Sequence, residues 1–495
     1  MSSHTLHLAF LGKLSQPIDP DIYYASQGEN IIDNVYQTLV NYKTGTPTPT
    51  IVPGLATSWS ISSNGLVYTF KLRHGVKFHD GTPFTCAAIA PSFARRLAVN
   101  QGPAYMVQDV ASVNCSNPYD AVITLKAPEN DFLDVLASEY GPKMLSPTAL
   151  KLHSGTDHAQ SWLAHHDAGT GPYTVAAANS STGYVLKYYP GYWGPKPYYT
   201  TVDISIVPSI STQQLELDQG KLSAILTGLP TRTIPALRSN PKLAVHELPT
   251  EAGLFLNVNP HAPGLSTTAA RRAVLDAINP SAVLATAYPD GAAKKYDGVY
   301  PHHQLPSGVA RQKTTYKPGL LAKLASSLHG KTITIAYDTG RPNEQEAANV
   351  IQTELASAGV HAIVVSLTGA QIFGSVGQVT NYPSIDVSSP WPDAASPYTW
   401  AHIAYDPTGG LAYFQCPNPA ASAALTRALA IPSASAAQAA YVSAGELYAS
   451  SYCWEWLSSR NDVMVTQSGL GGVKQAHSVM APSTLLFDAL RPKKG

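Results

Sequence analysis

The sequence predicts an α/β protein with a parallel sheet, and three observations carry that prediction. Thr332–Tyr337 (TITIAY) alternates as a strand with one buried face, and His361–Leu367 repeats the pattern. Between them Ala347, Val350, Ile351, Leu355 and Ala358 recur at helical spacing. Asn343 with Glu346 reads as a capping box there, and Gly359 suits the helix C-cap. A strand, a helix and a strand in so short a span form a βαβ unit, which joins parallel neighbours.

The totals narrow the class further. A chain of 495 residues forms several domains and buries a large core without difficulty. Lys+Arg and Asp+Glu both number 32, so a nucleic-acid or anionic-membrane partner is not expected. Charged residues make up 13%, against roughly 25% in ordinary globular domains, and no apolar run approaches the ~20 residues of a membrane span. The start, MSSHTLHLAF, has neither the basic nor the apolar region of a signal peptide. Cys86, Cys115, Cys416 and Cys453 show no zinc-ligand spacing. Sequence proximity favours the bridges Cys86–Cys115 and Cys416–Cys453 in an oxidising compartment, with other pairings and four buried thiols as alternatives.

In chain order, Thr5–Leu11 alternates as a strand and Pro17–Pro20 ends it. Lys13, Leu14 and Ser15 form the following loop, then Tyr23 and Tyr24, then a helix over Glu29–Leu39. Thr44–Pro53 holds four prolines and reads as a surface connection. In Leu66–Leu72, Leu66, Tyr68, Phe70 and Leu72 share one face of a strand. His74-Gly75 interrupts it, Val76 and Phe78 resume it, and Asp80-Gly81 turns it. Thr85 suits a helix N-cap, with Ile89, Phe93 and Leu97 on the buried face that follows. Asp109–Leu125 reads as two strands about Asn117-Pro118, and Val202–Val207 and Phe255–Asn259 as further strands. Ser266 or Thr267 caps the helix TTAARRAVLDAI, and helices are expected at Pro419–Leu429 and Ala436–Leu457.

Four segments carry a family likeness. They are PGLATSW with YTFKLRHGVKFHDGTPFT, GTGPY at Gly169–Tyr173, YYPGYWGPK at Tyr188–Lys196, and SSPWPDAASPYTW at Ser388–Trp400. Together they resemble the oligopeptide, dipeptide and nickel type of extracellular solute-binding protein that serves ABC importers, and the likeness runs through the whole chain in order. The resemblance implies a periplasmic-binding-protein-like fold: two α/β lobes joined by a hinge, with an accessory domain inserted in the first. Residues 1–38, 171–258 and 470–495 would form the first lobe, 39–170 the accessory domain and 259–469 the second lobe. It also implies a monomer that captures a solute outside the cytoplasm and delivers it to a permease. Neither cofactor nor chemistry is implied, and the membrane is met only through an export signal or lipid anchor already removed.

The residues themselves show no G-x-S-x-G elbow, P-loop, G-x-G-x-x-G or H-E-x-x-H. His79-Asp80 reads as two turn residues, and the pairs His165-His166 and His302-His303 as solvated loop residues. Ser388–Trp400 gathers Trp391, Tyr398 and Trp400 around one carboxylate, Asp393. That set suits a cleft wall gripping a cationic head, and a turn capped by Asp393 is the plainer alternative. By resemblance Asp393 stands where relatives hold a peptide's α-ammonium, although Trp391 and Asp393 are one residue closer than usual and Ser396-Pro397 replaces Asp-Pro. Lys13, Leu14, Ser15, Tyr23 and Tyr105 fall where relatives meet the ligand from the first lobe.

No Lys or Arg lies between Arg341 and Arg427, whereas Glu344, Glu346, Glu354, Asp386, Asp393 and Asp406 do. Glu344, Glu346 and Glu354 are assigned to the solvated face of their helix. A ligand with a free amine and no firmly clamped carboxylate is therefore expected, an oligopeptide first. Alternatives are another solute on the same fold (oligosaccharide, opine, metal chelate or haem), a hydrolase using Asp393 or His79, and a signalling receptor domain.

Overall fold

A computed structural model describes residues 4–305, 310–324, 328, 330–368, 371–372 and 382–493. The chain divides into two compact units. The first comprises Met1–Leu229, Ala236–Pro249 and Asp462–Gly495, and the second Pro230–Pro235 and Thr250–Asn461.

In the first unit, strand Thr5–Phe10 runs parallel to Thr201–Ile206, and Gly183–Tyr188 and Tyr173–Asn179 continue that sheet antiparallel. A three-stranded sheet places Asp462–Gln467 between Ala224–Ile225 and Leu243–Leu248. A third sheet orders Ala56–Ile61, Val67–Leu72, Asp120–Leu125 and Val110–Asn117. Its alternation is visible in burial: Tyr68, Phe70 and Leu72 are enclosed, while Lys71 points to solvent. Val76–Phe78 does not resume the ladder, because only Lys77 and Pro83 make a bridge about the Gly81 turn. The GTGPY glycines are required by packing. A Cβ at Gly169 would lie 2.1 Å from the Val35 carbonyl, and one at Gly171 would lie 2.7 Å from those of Asn34 and Val35.

The second unit is built on a mixed five-stranded sheet in the order Ala362–Leu367, Ile333–Asp338, Ile385–Ser388, Phe255–Val258, Trp454–Trp456. The first three strands are parallel, and helix Pro342–Ser357 supplies the crossover. Ala347, Ile351 and Leu355 are fully buried on that helix and pack under the sheet.

Several expectations need correction. The helix after Thr85 begins with a 3-10 turn, Cys86–Ala88, and continues as Ile89–Val99. It leaves Leu97 42% exposed and buries Arg95 and Arg96 instead, because Asp19 and Asp21 stand opposite those guanidinium groups. The first helix spans Ser26–Val35, shorter at its end than expected. The capping box does not form. Pro342 takes the first helical position, so Asn343 sits inside the helix beside Thr231, and Glu346 pairs with Arg232. Glu344 is 3% exposed rather than solvated. The helix expected at Ala436–Leu457 runs Ala434–Ala449. Tyr452 then takes a left-handed backbone (φ 51°), and Trp454–Trp456 joins the sheet beside Phe255.

Candidate functional site

The loop after strand Ile385–Ser388 is positioned from below by an aromatic core and from ahead by a helix cap. Helix Pro397–Ala404 starts where Ser396 accepts hydrogen bonds from the amides of Tyr398 (3.1 Å) and Thr399 (3.4 Å), with proline at the first helical position. Serine thus caps this helix. Behind the loop Trp400 is enclosed with Phe255, Tyr405 and Trp456, at ring separations of 5.5, 6.1 and 5.0 Å. The Tyr405 hydroxyl bonds the Val299 carbonyl beside the two indoles. Trp400 therefore supports the loop from the core. Asp393 is 5% exposed, Trp391 and Tyr398 are half-buried, and Tyr398 stacks on His402 at 5.3 Å.

Two further carboxyls lie near the carboxyl ends of the parallel strands that lead here. Asp386 accepts from Asn257 (3.4 Å), and burial pushes its pKa up to about 6. Glu344 accepts from the Asp338 amide (3.3 Å) and meets Ser389; burial pushes it up to about 7, against the pull of Arg341. Residue-type periodicity misplaces Glu344, since an acid on a helix usually marks the wet face. The loop is also tied to residues the sequence did not single out. Gly253 donates to the Pro390 carbonyl (3.3 Å) and Gln304 to the Ala394 carbonyl (3.1 Å).

Of the expected residues of the first unit, Lys13, Leu14, Ser15 and Tyr23 follow strand Thr5–Phe10. Lys13 and Ser15 are exposed, and Leu14 packs partly on the core. Tyr23 is 2% exposed, its hydroxyl accepting from the Gly28 amide at 2.8 Å, so it holds the loop. Tyr105 is half-buried in the turn Gly102–Val107. The loop itself is locked by a buried ionic cluster. Arg95 donates to Asp19 (2.5 and 2.8 Å) and Asp21 (2.6 Å). Arg96 donates to Asp21 (2.8 Å) and to the carbonyls of Pro20, Tyr140 and Gly141. Elsewhere in this unit a cavity of about 330 Å³ is lined by Asp33, Gln37, Lys143, Trp193 and Asp488, with none of the expected ligand residues.

His79 engages Asp167 through Nδ1 and the Gly171 carbonyl through Nε2, tying the HDGTPFT hairpin to GTGPY. His303 is not a solvated residue: its amide and Nδ1 both meet the buried Glu251. Among the described residues no group of three or more His, Cys, Asp or Glu is placed to hold a metal ion, and no helix is long and apolar enough to cross a membrane. The four cysteines form two disulfides, Cys86–Cys115 and Cys416–Cys453.

The family model for the middle region of bacterial extracellular solute-binding proteins, family 5, matches residues 50–411. The chain belongs to that family. It is 28% identical over 414 residues to the probable D,D-dipeptide-binding periplasmic protein DdpA of Escherichia coli K12, covering 80% of this chain and 77% of that protein. It is 27% identical over 328 residues to the glutathione-binding protein GsiB of Shigella flexneri, covering 64% of this chain and 61% of that one. Among solved structures, the Helicobacter pylori periplasmic binding protein DppA in complex with peptide STSA superposes with a TM-score of 0.84 at 23% identity, over 99% of this chain and 98% of that one. Brucella suis NikA in complex with Fe(III)-EDTA gives 0.84 at 21%, over 99% and 100%. The fold is thus that of the family 5 periplasmic binding proteins, of the oligopeptide, dipeptide and nickel type. The chain is the solute-binding component of an ABC importer and catalyses no reaction.

Proposed function

We propose that the solute is an oligopeptide recognised through its free amine, with Asp393 as the anchor. The observation that carries this reading is a carboxylate 5% exposed among Trp391, Tyr398 and Trp400, in a stretch of 85 residues (342–426) without a lysine or arginine. A desolvated carboxylate gains most from a charge-assisted bond to an ammonium, and rings with polar edges suit the wall around it. The names of DdpA and GsiB, and the peptide in the DppA complex, support a peptide over other solutes. In this reading the ligand's carboxylate is not clamped from this segment, Lys13–Ser15 and Tyr105 face the ligand from the first unit, residues 39–170 act as an accessory domain, and ligand binding draws the two units to closure. The two disulfides and the periplasmic relatives support a place outside the cytoplasm.

A second reading keeps the fold and changes the solute. An Agrobacterium tumefaciens protein in complex with agropinic acid superposes with a TM-score of 0.81, and the Brucella protein holds a metal chelate. Native mass spectrometry of the purified protein identifies a retained ligand. Calorimetry with free-amine and N-acetylated forms of the same peptide then decides the anchor. Equal affinity for both forms overturns it.

A further inference from the structure

Thr250–Gly253 opens the long segment of the second unit, and Arg460 lies just before that segment ends. The two are fastened together: Thr250 Oγ1 bonds the Arg460 carbonyl, and the Arg460 amide donates to Ala252 (2.8 Å). From this crossing, a short chain of polar contacts leads to the Asp393 loop. Glu251, 1% exposed, accepts from the His303 amide at 2.9 Å and faces its Nδ1 at 2.5 Å. The next residue, Gln304, is 5% exposed and bonds the Ala394 carbonyl. A carbonyl can only accept, so the Gln304 amide nitrogen faces it, and Oε1 is left buried with no hydrogen-bond partner among the described residues. Gly253 holds the other side of the loop at Pro390. It has no room for a side chain, since a Cβ would lie 1.9 Å from the Ser458 carbonyl.

We propose that Gln304 is a positioning residue for solute capture: seated by His303 on Glu251, it couples the Asp393 loop to the segment where the chain crosses between its units. The inference rests on the reading of Asp393 as anchor. It adds a residue that does not touch the ligand and whose buried, unsatisfied Oε1 costs stability for a structural role alone. That cost makes the role testable, because a role in the fold and a role in capture move in opposite directions on one substitution.

Gln304→Met keeps the volume and removes both the donor to Ala394 and the orphaned acceptor. The expected result is an unchanged or higher Tm together with affinity for a free-amine tripeptide, trialanine, lowered roughly tenfold. Combined with Asp393→Ala, it should add no further loss. Parent-like affinity in Gln304→Met, where Asp393→Ala has lost binding, overturns the proposal, as does a fully additive double variant. If Asp393→Ala binds as the parent does, or trialanine binds neither, the peptide-anchor reading has failed. Gln304 is then judged by amide hydrogen exchange over Asp393–Ser396 in the ligand-free protein. Faster exchange in Gln304→Met at undiminished Tm supports the coupling, and unchanged exchange overturns it.

Discussion

Residues 11–24 of the first unit and 388–400 of the second are both loops that leave the end of a strand, yet they are held by opposite means. The first is riveted by four buried charges, Asp19 and Asp21 against Arg95 and Arg96, none more than 6% exposed. Around the second, bonds from Ser396, Gly253 and Gln304 lie over an aromatic floor. A carboxylate consumed by an arginine of its own chain has little left for a visitor. Around the second loop, residues 342–426 supply no arginine or lysine, and under the proposed reading Asp393 meets a cation brought by the solute. The contrast sets an ionic cluster that fixes backbone beside a loop whose proposed role is recognition.

The largest effect should come from breaking the first arrangement. Arg96→Met removes one of the two arginines that hold Asp21, strands three carbonyls in the core, and should cost roughly 3–5 kcal/mol of stability in urea unfolding. Leu97→Lys, one residue along, should stay within about 0.5 kcal/mol. Asp393→Ala tests the proposed anchor: binding of a free-amine peptide should weaken by roughly 2–5 kcal/mol by calorimetry.

A pH titration sharpens the same comparison. Glu344 stays protonated in the folded chain up to about 7, whereas the unfolded chain releases that proton near the ordinary glutamate value of 4.5. The folded state therefore holds the extra proton between those values, so its stability falls as pH rises through that window, by roughly 3 kcal/mol from this group. Glu344→Gln should flatten that part of the stability curve, and an unaltered slope would refute the assignment. The smallest effect belongs to the cap: Ser396→Ala should cost about 0.5–2 kcal/mol, and Ser396→Asp should restore most of it.

Much of the fold was legible because burial imposes a period. Tyr68, Phe70 and Leu72 alternate, Ala347, Ile351 and Leu355 recur at helical spacing, and the βαβ unit follows directly. What stayed hidden depends on partners far away in sequence. The burial of Arg95 in place of Leu97 is decided by Asp19, and the end of helix Ala434–Ala449 by the pairing of Trp454–Trp456 with Phe255. Asp393 and its aromatic neighbours were visible as one segment. Gln304 was not, because its contact with that loop joins residues ninety positions apart and exists only in the folded unit.

The position of Asp462–Gln467 has a consequence for biogenesis. This strand lies in the middle of its three-stranded sheet, between partners synthesised more than two hundred residues earlier. Residues 250–461 need nothing outside their own span to complete their sheet, so a nascent chain can finish that part first. The amino-terminal part must wait with a gap in its β-structure until the last stretch leaves the ribosome or the translocon. A polypeptide truncated before residue 462 would keep two unpaired strand edges, the kind of lesion that chaperones and proteases seek out.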